Sequence, residues 1–571
     1  MKSDWKKIGR ITLVVIPLIF LIIFYFYPIW EIASVTLRRL DPDWMKDIPW
    51  GIISDAAGFT VFQAVLSTVL TLVLGLPAAY LFGTYRFRGK NLLKILTTIP
   101  FILPTVVVAA GFNALIGPRG WLNLLFMGLF NLAQPLINLQ NSLAAILIAH
   151  VFYNTSIVIR VVGGALEQMD PNLEMAARML GASRWKTFRN ISLPLLLPSV
   201  VSALLLVFLF DFTSFGVILM LGGPRFSTLE VEIYIQTVQF LNLPLAGILS
   251  FLQLFFSMAI AFLVMRSGGQ FIAPIVPHVK SERLRSPEKP GEKIFLALMA
   301  AVLIILLVFP LLGLALRSFL SVETTRAGQV TAWNFTFDFY LSLFENTRAS
   351  IFYVPPVEAL RNSLIFASAS SILAILLGFM LSAGIRGVKR FDRIVELLIL
   401  LPLGTSAVTL GLGFFSAFSR AAASLRYYPL LIPAAHTLIA LPFVMRVIRP
   451  AMESIPESLK DAAKMLGASP FEVWKYIELP LILRAVITSL IYSFTISLGE
   501  FGATSFLARP ELPTLPIAIF RYLNLPGGNN YGQAMAMAVI ILAVCALSIF
   551  MLERLQFRKA ENDRMNGHAH T

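Results

Sequence analysis

The chain has 571 residues, of which 57% are apolar and 13% charged, with a mean hydropathy of +0.79. Such a composition excludes an ordinary water-soluble domain and a disordered chain, and it defines a membrane protein. The formal net charge of +15 is not a nucleic-acid footprint, because the cations occupy alternate loops between apolar stretches.

Spanning the hydrocarbon takes about 20 mostly apolar residues in a helix. Stretches of that kind recur from Ile11–Tyr27 to Met535–Leu552, roughly twelve by this length criterion. All are too long for barrel strands. The first follows Lys2, Lys6, Lys7 and Arg10 like a signal peptide, but it ends in Phe26-Tyr27-Pro28 without a small-residue cleavage site. It reads as a retained first span.

Further along, cations gather at Arg86/Arg88/Lys90/Lys94, at Arg178/Arg184/Lys186/Arg189, in 266–293, at Arg386/Lys389/Arg390/Arg393, at Lys460/Lys464/Lys475 and after the last span. The intervening loops carry Asp41, Asp43, Asp47, Glu230, Glu232, Asp338 and Glu345. The positive-inside rule then places both termini in the cytoplasm. Cys545, the single cysteine, lies inside the last apolar stretch, so no intrachain disulfide or Cys-based metal site exists.

Residues 266–293 hold Gly268-Gly269, four prolines and mixed charge, and they form the natural linker. Landmarks on either side repeat at one spacing. His150/His436, Arg160/Arg446, Gly181/Gly467, Pro194/Pro480 and Gly216/Gly502 are each 286 positions apart. A single register across five landmarks identifies a tandem duplication. The predicted organisation is all-α and polytopic, with two parallel six-helix repeats. Residues 1–265 form the first repeat, 266–293 the cytoplasmic linker, 294–556 the second repeat and 557–571 a cytoplasmic tail. An even number of spans per repeat relates the copies by an axis along the membrane normal. The first copy carries an extra segment near Asn131–Asn141, since Gly111 to His150 is longer than Gly411 to His436.

The most specific pattern follows the fourth span of each copy. It reads Met175-Ala176-Ala177-Arg178-Met179-Leu180-Gly181-Ala182-Ser183 and then Ile191-Ser192-Leu193-Pro194 in the first copy. In the second it reads Asp461-Ala462-Ala463-Lys464-Met465-Leu466-Gly467-Ala468-Ser469 and then Ile477-Glu478-Leu479-Pro480. The small residues let another surface approach the backbone, Gly181 and Gly467 can take the positive φ that ends a short helix, and the prolines are expected to restart one. The expectation is a short, rigid, exposed helical knob on the cytoplasmic face. An interfacial amphipathic turn is the plainer alternative, and duplication at full spacing weighs against it.

This pattern resembles the EAA loop of bacterial ATP-binding-cassette importer permeases: Glu-Ala-Ala, three residues, Gly, nine residues, then Ile-x-Leu-Pro. The acidic position departs from it, with Met175 in the first copy, where Glu174 stands one residue early, and Asp461 in the second. The resemblance implies that Ala176, Ala177, Gly181, Asp461, Ala462, Ala463 and Gly467 couple the chain to two separate ATP-binding-cassette ATPase subunits. It also implies an extracytoplasmic solute-binding protein as partner and a multi-pass location in the bacterial inner membrane. No phosphate loop is encoded, since Gly83-Thr84-Tyr85-Arg86-Phe87-Arg88-Gly89-Lys90-Asn91 has one residue too many between its glycines and Asn where Ser/Thr would meet Mg²⁺. No catalytic residue, metal site or cofactor is assigned.

Several segments, among them Ile148-Ala149-His150-Val151-Phe152-Tyr153-Asn154, Leu221-Gly222-Gly223-Pro224 and Leu498-Gly499-Glu500-Phe501-Gly502, are similar to fused permeases that import thiamine or ferric iron. Inside the fifth spans stand two unusual carboxylates, Asp211 and Glu500. An ionised group there costs about 2.5–3.5 kcal/mol on insertion scales, so it faces protein or a watery cavity. They either line a cation path between the copies or hydrogen-bond neighbouring helices for packing. His150 and His436, one per copy with no second ligand nearby, read as packed, hydrogen-bonded histidines. Extracytoplasmic loops 30–60, 221–245, 316–360 and 508–532 are the expected dock for the solute-binding protein. Rival readings are an ion-driven secondary carrier, against which the duplicated loops argue, and an intramembrane enzyme, for which no paired catalytic motif exists.

Overall fold

A computed structural model describes residues 2–39, 48–118, 120–130, 132, 134–266, 284–324, 330–345, 354–385, 401–402, 404–418 and 428–568. Among the described residues ten helices are long and apolar enough to cross a membrane, with an eleventh if the bent pair Lys90–Ile102 and Thr105–Phe130 is one span. The cationic loop around Arg386/Lys389/Arg390/Arg393 and the apolar run after it lie outside the described residues. The protein is an all-α polytopic membrane protein, and among the described residues the strands are those of one antiparallel hairpin, Leu320–Thr324 and Val330–Phe335, paired Leu320 to Phe335.

Two compact units emerge, and each takes helices from both repeats. The first contains residues 1–48, 233–254 and 346–518. Here the N-terminal helix packs on second-repeat helices: the Tyr25 hydroxyl lies 2.7 Å from Thr405 Oγ1, and Phe24 stacks on Phe414 with ring centres 6.1 Å apart. Gly413 faces Pro28 so closely that a Cβ would sit 3.0 Å from the proline Cβ. The second unit contains residues 49–232, 255–345 and 519–571. It mirrors that arrangement with the helix Pro290–Arg317, which packs on Thr105–Ile116; a Cβ on Gly111 would lie 3.1 Å from the Pro310 carbonyl oxygen, and Trp121 Nε1 donates to the Gly313 carbonyl at 3.2 Å. The first helix of each repeat thus packs with the other repeat's bundle.

The duplication is visible in matched contacts. Thr60 Oγ1 accepts the Leu229 N–H at 2.9 Å in one unit, and Ser363 Oγ accepts the Leu515 N–H at 2.7 Å in the other. Each hydroxyl satisfies an orphan donor at a helix start. Gly75 and Gly378 let helices approach at Val158 and Val444, where a Cβ would come within 2.7 and 2.8 Å of the valine side chains. Small residues at such crossings are how membrane helices gain packing without a hydrophobic driving force.

Where the prolines act differs from the sequence expectation. Pro194 and Pro480 do not restart helices but lie within continuous ones, Arg184–Phe212 and Pro470–Gly499. Each follows a π turn, Phe188–Ser192 or Trp474–Glu478, that ends two residues before it. Proline lacks an N–H and its ring excludes the carbonyl four residues back; one extra residue in the turn accommodates both. The true restart lies earlier, at Ser183 and Ser469, whose side chains cap the N–H groups of Lys186 and Glu472 at 3.3 Å each.

Candidate functional site

The knob of the first copy is the helix Pro171–Met179, opened by Asp170, which accepts the Asn172 N–H at 2.9 Å, with proline at the first helical position. Gly181 ends it at φ +85°: its N–H bonds the Arg178 carbonyl and that of Ala182 bonds the Ala177 carbonyl, both at 3.0 Å. The second copy repeats this over Glu457–Met465, with Gly467 at φ +87° and bonds from Gly467 to Lys464 and from Ala468 to Ala463, again 3.0 Å. These are Schellman closures, which satisfy orphan carbonyls through a residue in the left-handed region, where glycine alone carries no Cβ penalty.

That closure has a consequence for the surface. Met179 and Leu180 are 89% exposed, and Met465 and Leu466 are 89% and 88% exposed. Ala176, Ala462 and both glycines are also exposed, with Ala177 and Ala463 half-buried. Trp185 and Phe188 extend the first apolar tip and Phe471 the second. Exposed apolar surface gathered in one place is of the kind that protein contacts use, and methionine suits an adaptable contact. Asp461 is exposed and pairs with Lys464 of its own helix at 2.8 Å, and that hydrogen bond raises the Lys464 pKa. Met175 holds the equivalent exposed place in the first copy.

Glu174 turns the other way. Its Oε1 accepts from Ser192 Oγ at 2.7 Å, under the knob. Its counterpart 286 positions on, Lys460, reaches Glu478, the counterpart of Ser192, at 2.8 Å. Glu174 is therefore not a displaced member of the surface motif but an internal contact.

Asp211 and Glu500 sit elsewhere, at breaks in the fifth spans. Asp211 is 0% exposed in the last turn of Leu193–Phe212, which stops before the next helix begins at Gly216. Its Oδ1 accepts from Asn154 Nδ2 at 2.7 Å and lies 3.4 Å from His150 Nδ1, while its carbonyl accepts from Gln63 Nε2 at 2.8 Å. His150 also meets Ser67 Oγ through Nδ1 at 2.9 Å and Ser214 Oγ through Nε2 at 2.8 Å. Glu500, 7% exposed, follows the end of Leu479–Gly499 and accepts the N–H groups of Ala503 and Thr504 at 2.7 and 3.0 Å and the Thr504 hydroxyl, so it caps the short helix Thr504–Leu507. His436 meets Ser497 Oγ through Nδ1 at 2.7 Å, and through Nε2 it meets Thr504 Oγ1 at 2.8 Å and Glu500 Oε2 at 3.2 Å. Ser370 completes the set by donating to Ser497 Oγ at 2.7 Å.

The two hubs are transposed copies. Asp211 and Ser214 of the first correspond to Ser497 and Glu500 of the second. The carboxylate stands on the Nδ1 side of the histidine in one and on the Nε2 side in the other, with a hydroxyl opposite. Both ring nitrogens of His150 and His436 are engaged, which is the packed state expected from the sequence. The exchange of Ser214 for Glu500 escaped the sequence reading although the 286-residue register contains it.

Two exposed knobs, one in each compact unit, belong to a chain whose described residues include ten helices of membrane-spanning length. The chain matches the family described as "Binding-protein-dependent transport system inner membrane component" twice, over residues 72–320 and 374–561, and it belongs to that family. It is thus a multi-pass inner-membrane permease of an ATP-binding-cassette importer, a transporter subunit rather than an enzyme. It is 25% identical to the thiamine transport system permease protein ThiP of Brucella abortus over 514 residues, 88% of each chain. It is 25% identical to ThiP of Escherichia coli over 530 residues, 91% of each, and to the probable ABC transporter permease protein y4fN of Sinorhizobium fredii over 507 residues, 87% of this chain and 86% of the relative.

Proposed function

We propose that this permease carries thiamine inward, with one ATPase subunit seated on each knob and an extracytoplasmic binding protein delivering the solute. The observation that carries the reading is the pair of identically closed knobs, each joined through a short turn to the foot of a fifth span. Two knobs call for two ATPase subunits, and the distribution of cations puts knobs and termini on the cytoplasmic side. The printed function of the ThiP relatives supports thiamine as solute. Asp211 and Glu500 are read as holding the breaks after the fifth spans, because Glu500 spends both side-chain oxygens, and Asp211 its Oδ1, on partners within its own unit. In proteoliposomes that hold the full complex, labelled thiamine is expected to enter only with ATP and to be displaced by unlabelled thiamine. Uptake of ferric iron with no competition by thiamine contradicts this assignment.

The two knobs are expected to bind unequally. Asp461 offers a charge-assisted contact to a partner's cation or N–H, and Met175 offers only apolar area. Hydrogen bonds to charged groups contribute about 1.5–3 kcal/mol. Asp461→Ala is therefore expected to lose more ATPase subunit in a pull-down than Met175→Ala, and equal losses remove the argument.

A further inference from the structure

Beneath each knob lies a contact that the exposed motif does not use. Lys460 is buried on the inner face of Glu457–Met465, and its Nζ reaches Glu478 Oε1 at 2.8 Å and Glu457 Oε1 at 3.2 Å. Glu478 is the last residue of the π turn from which Leu479–Gly499 rises. In the first copy the same two positions hold Glu174 and Ser192, joined at 2.7 Å, with Ser192 the last residue of its π turn. The chemistry differs, acid and hydroxyl in one copy, base and acid in the other, while the place of the link is kept. The short turns Leu180–Ser183 and Leu466–Ser469 join knob to span at one point only. A second tie 18 residues along the chain closes a triangle, and a triangulated pair of helices cannot pivot at the turn.

We propose that Glu174–Ser192 and Lys460–Glu478 are braces that make each knob and the foot of its fifth span one rigid body, so that displacement of the knob becomes displacement of the span. Lys460, Glu478, Glu174 and Ser192 are positioning residues in this account: they touch neither solute nor ATPase. The proposal rests on the importer reading for its consequence, but the brace itself is testable without it.

The first test uses the permease alone. Cys545 is buried, so a spin label placed through Met465→Cys reports the knob. Adding Lys460→Ala is expected to raise the label's mobility, and the exchange Lys460→Glu with Glu478→Lys is expected to return it to the original value. Unchanged mobility in Lys460→Ala overturns the brace whatever the ATPases do. The second test uses the complex with its cognate ATPase subunits. Lys460→Ala is expected to keep those subunits bound and to hydrolyse ATP, while thiamine uptake per ATP falls roughly tenfold, within the span of typical coupling energies. The charge exchange is expected to restore the ratio, and Glu174→Lys with Ser192→Glu, which writes the second copy's pair into the first, is expected to keep it. An unaltered ratio in Lys460→Ala, or an exchange no better than the single change, overturns the proposal. If the unsubstituted chain binds no ATPase while the label test succeeds, the importer reading fails and the brace stands.

Discussion

Gly181→Asp and Gly467→Asp permeases are expected to insert and fold normally yet to lose ATP-linked transport by roughly tenfold or more each, equivalent to about 1.4 kcal/mol or more of lost coupling. The intrachain cost is confined to backbone strain, about 1–2 kcal/mol for an L-residue at a positive φ. A Cβ at either glycine meets no atom of the chain within 4 Å, and aspartate is among the few L-residues that visit the left-handed region occupied there. What changes is the outer surface, where a charged side chain enters the apolar tip formed by Met179 and Leu180 or by Met465 and Leu466. Burying an unpaired carboxylate in a partner interface is strongly unfavourable. ATPase stimulation by solute, measured beside thermal unfolding of the same preparations, checks the result; full stimulation in both variants removes the knobs from the coupling path.

The second large effect is expected at the transposed hubs. Glu500→Ala leaves the N–H groups of Ala503 and Thr504 and one side of His436 without their acceptor. Asp211→Ala strips Asn154 and His150 in the same way. Breaking a buried, hydrogen-bonded pair from one side costs about 3–5 kcal/mol, a large share of the stability of a folded domain. Both variants are expected to show lower expression and lower unfolding temperature, with uptake per folded molecule close to normal. Glu500→Gln, which keeps an acceptor, is expected to recover much of the stability. Normal stability combined with slow uptake shows instead that the carboxylates act on the passing cation.

Features set by neighbouring residues were legible in the sequence, and features set by distant ones were not. The knobs were readable because a Schellman closure needs only a glycine at a fixed offset from a short amphipathic helix. The spans were readable because hydrocarbon demands length and apolarity. Pro194 and Pro480 misled because the rule that proline opens a helix neglects the π turn that lets one continue through it. The exchange of first helices between bundles was hidden, since an apolar face such as that of Phe24 does not state which bundle it will meet. The hubs lay between these cases: His150 and His436 carried the repeat visibly, but Ser67, which meets His150, and Ser370, which meets Ser497 beside His436, come from helices that do not keep the 286-residue register.

Coupling through the two knobs is tested most directly by counting and driving. The permease is reconstituted with its cognate ATPase subunits, the mass of the complex is determined, and thiamine uptake is followed with ATP inside or outside the vesicles. The account predicts two ATPase subunits per chain, uptake only when ATP is on the knob side, and no uptake by the chain alone under any ion gradient. Gradient-driven uptake by the chain without ATPase subunits contradicts it.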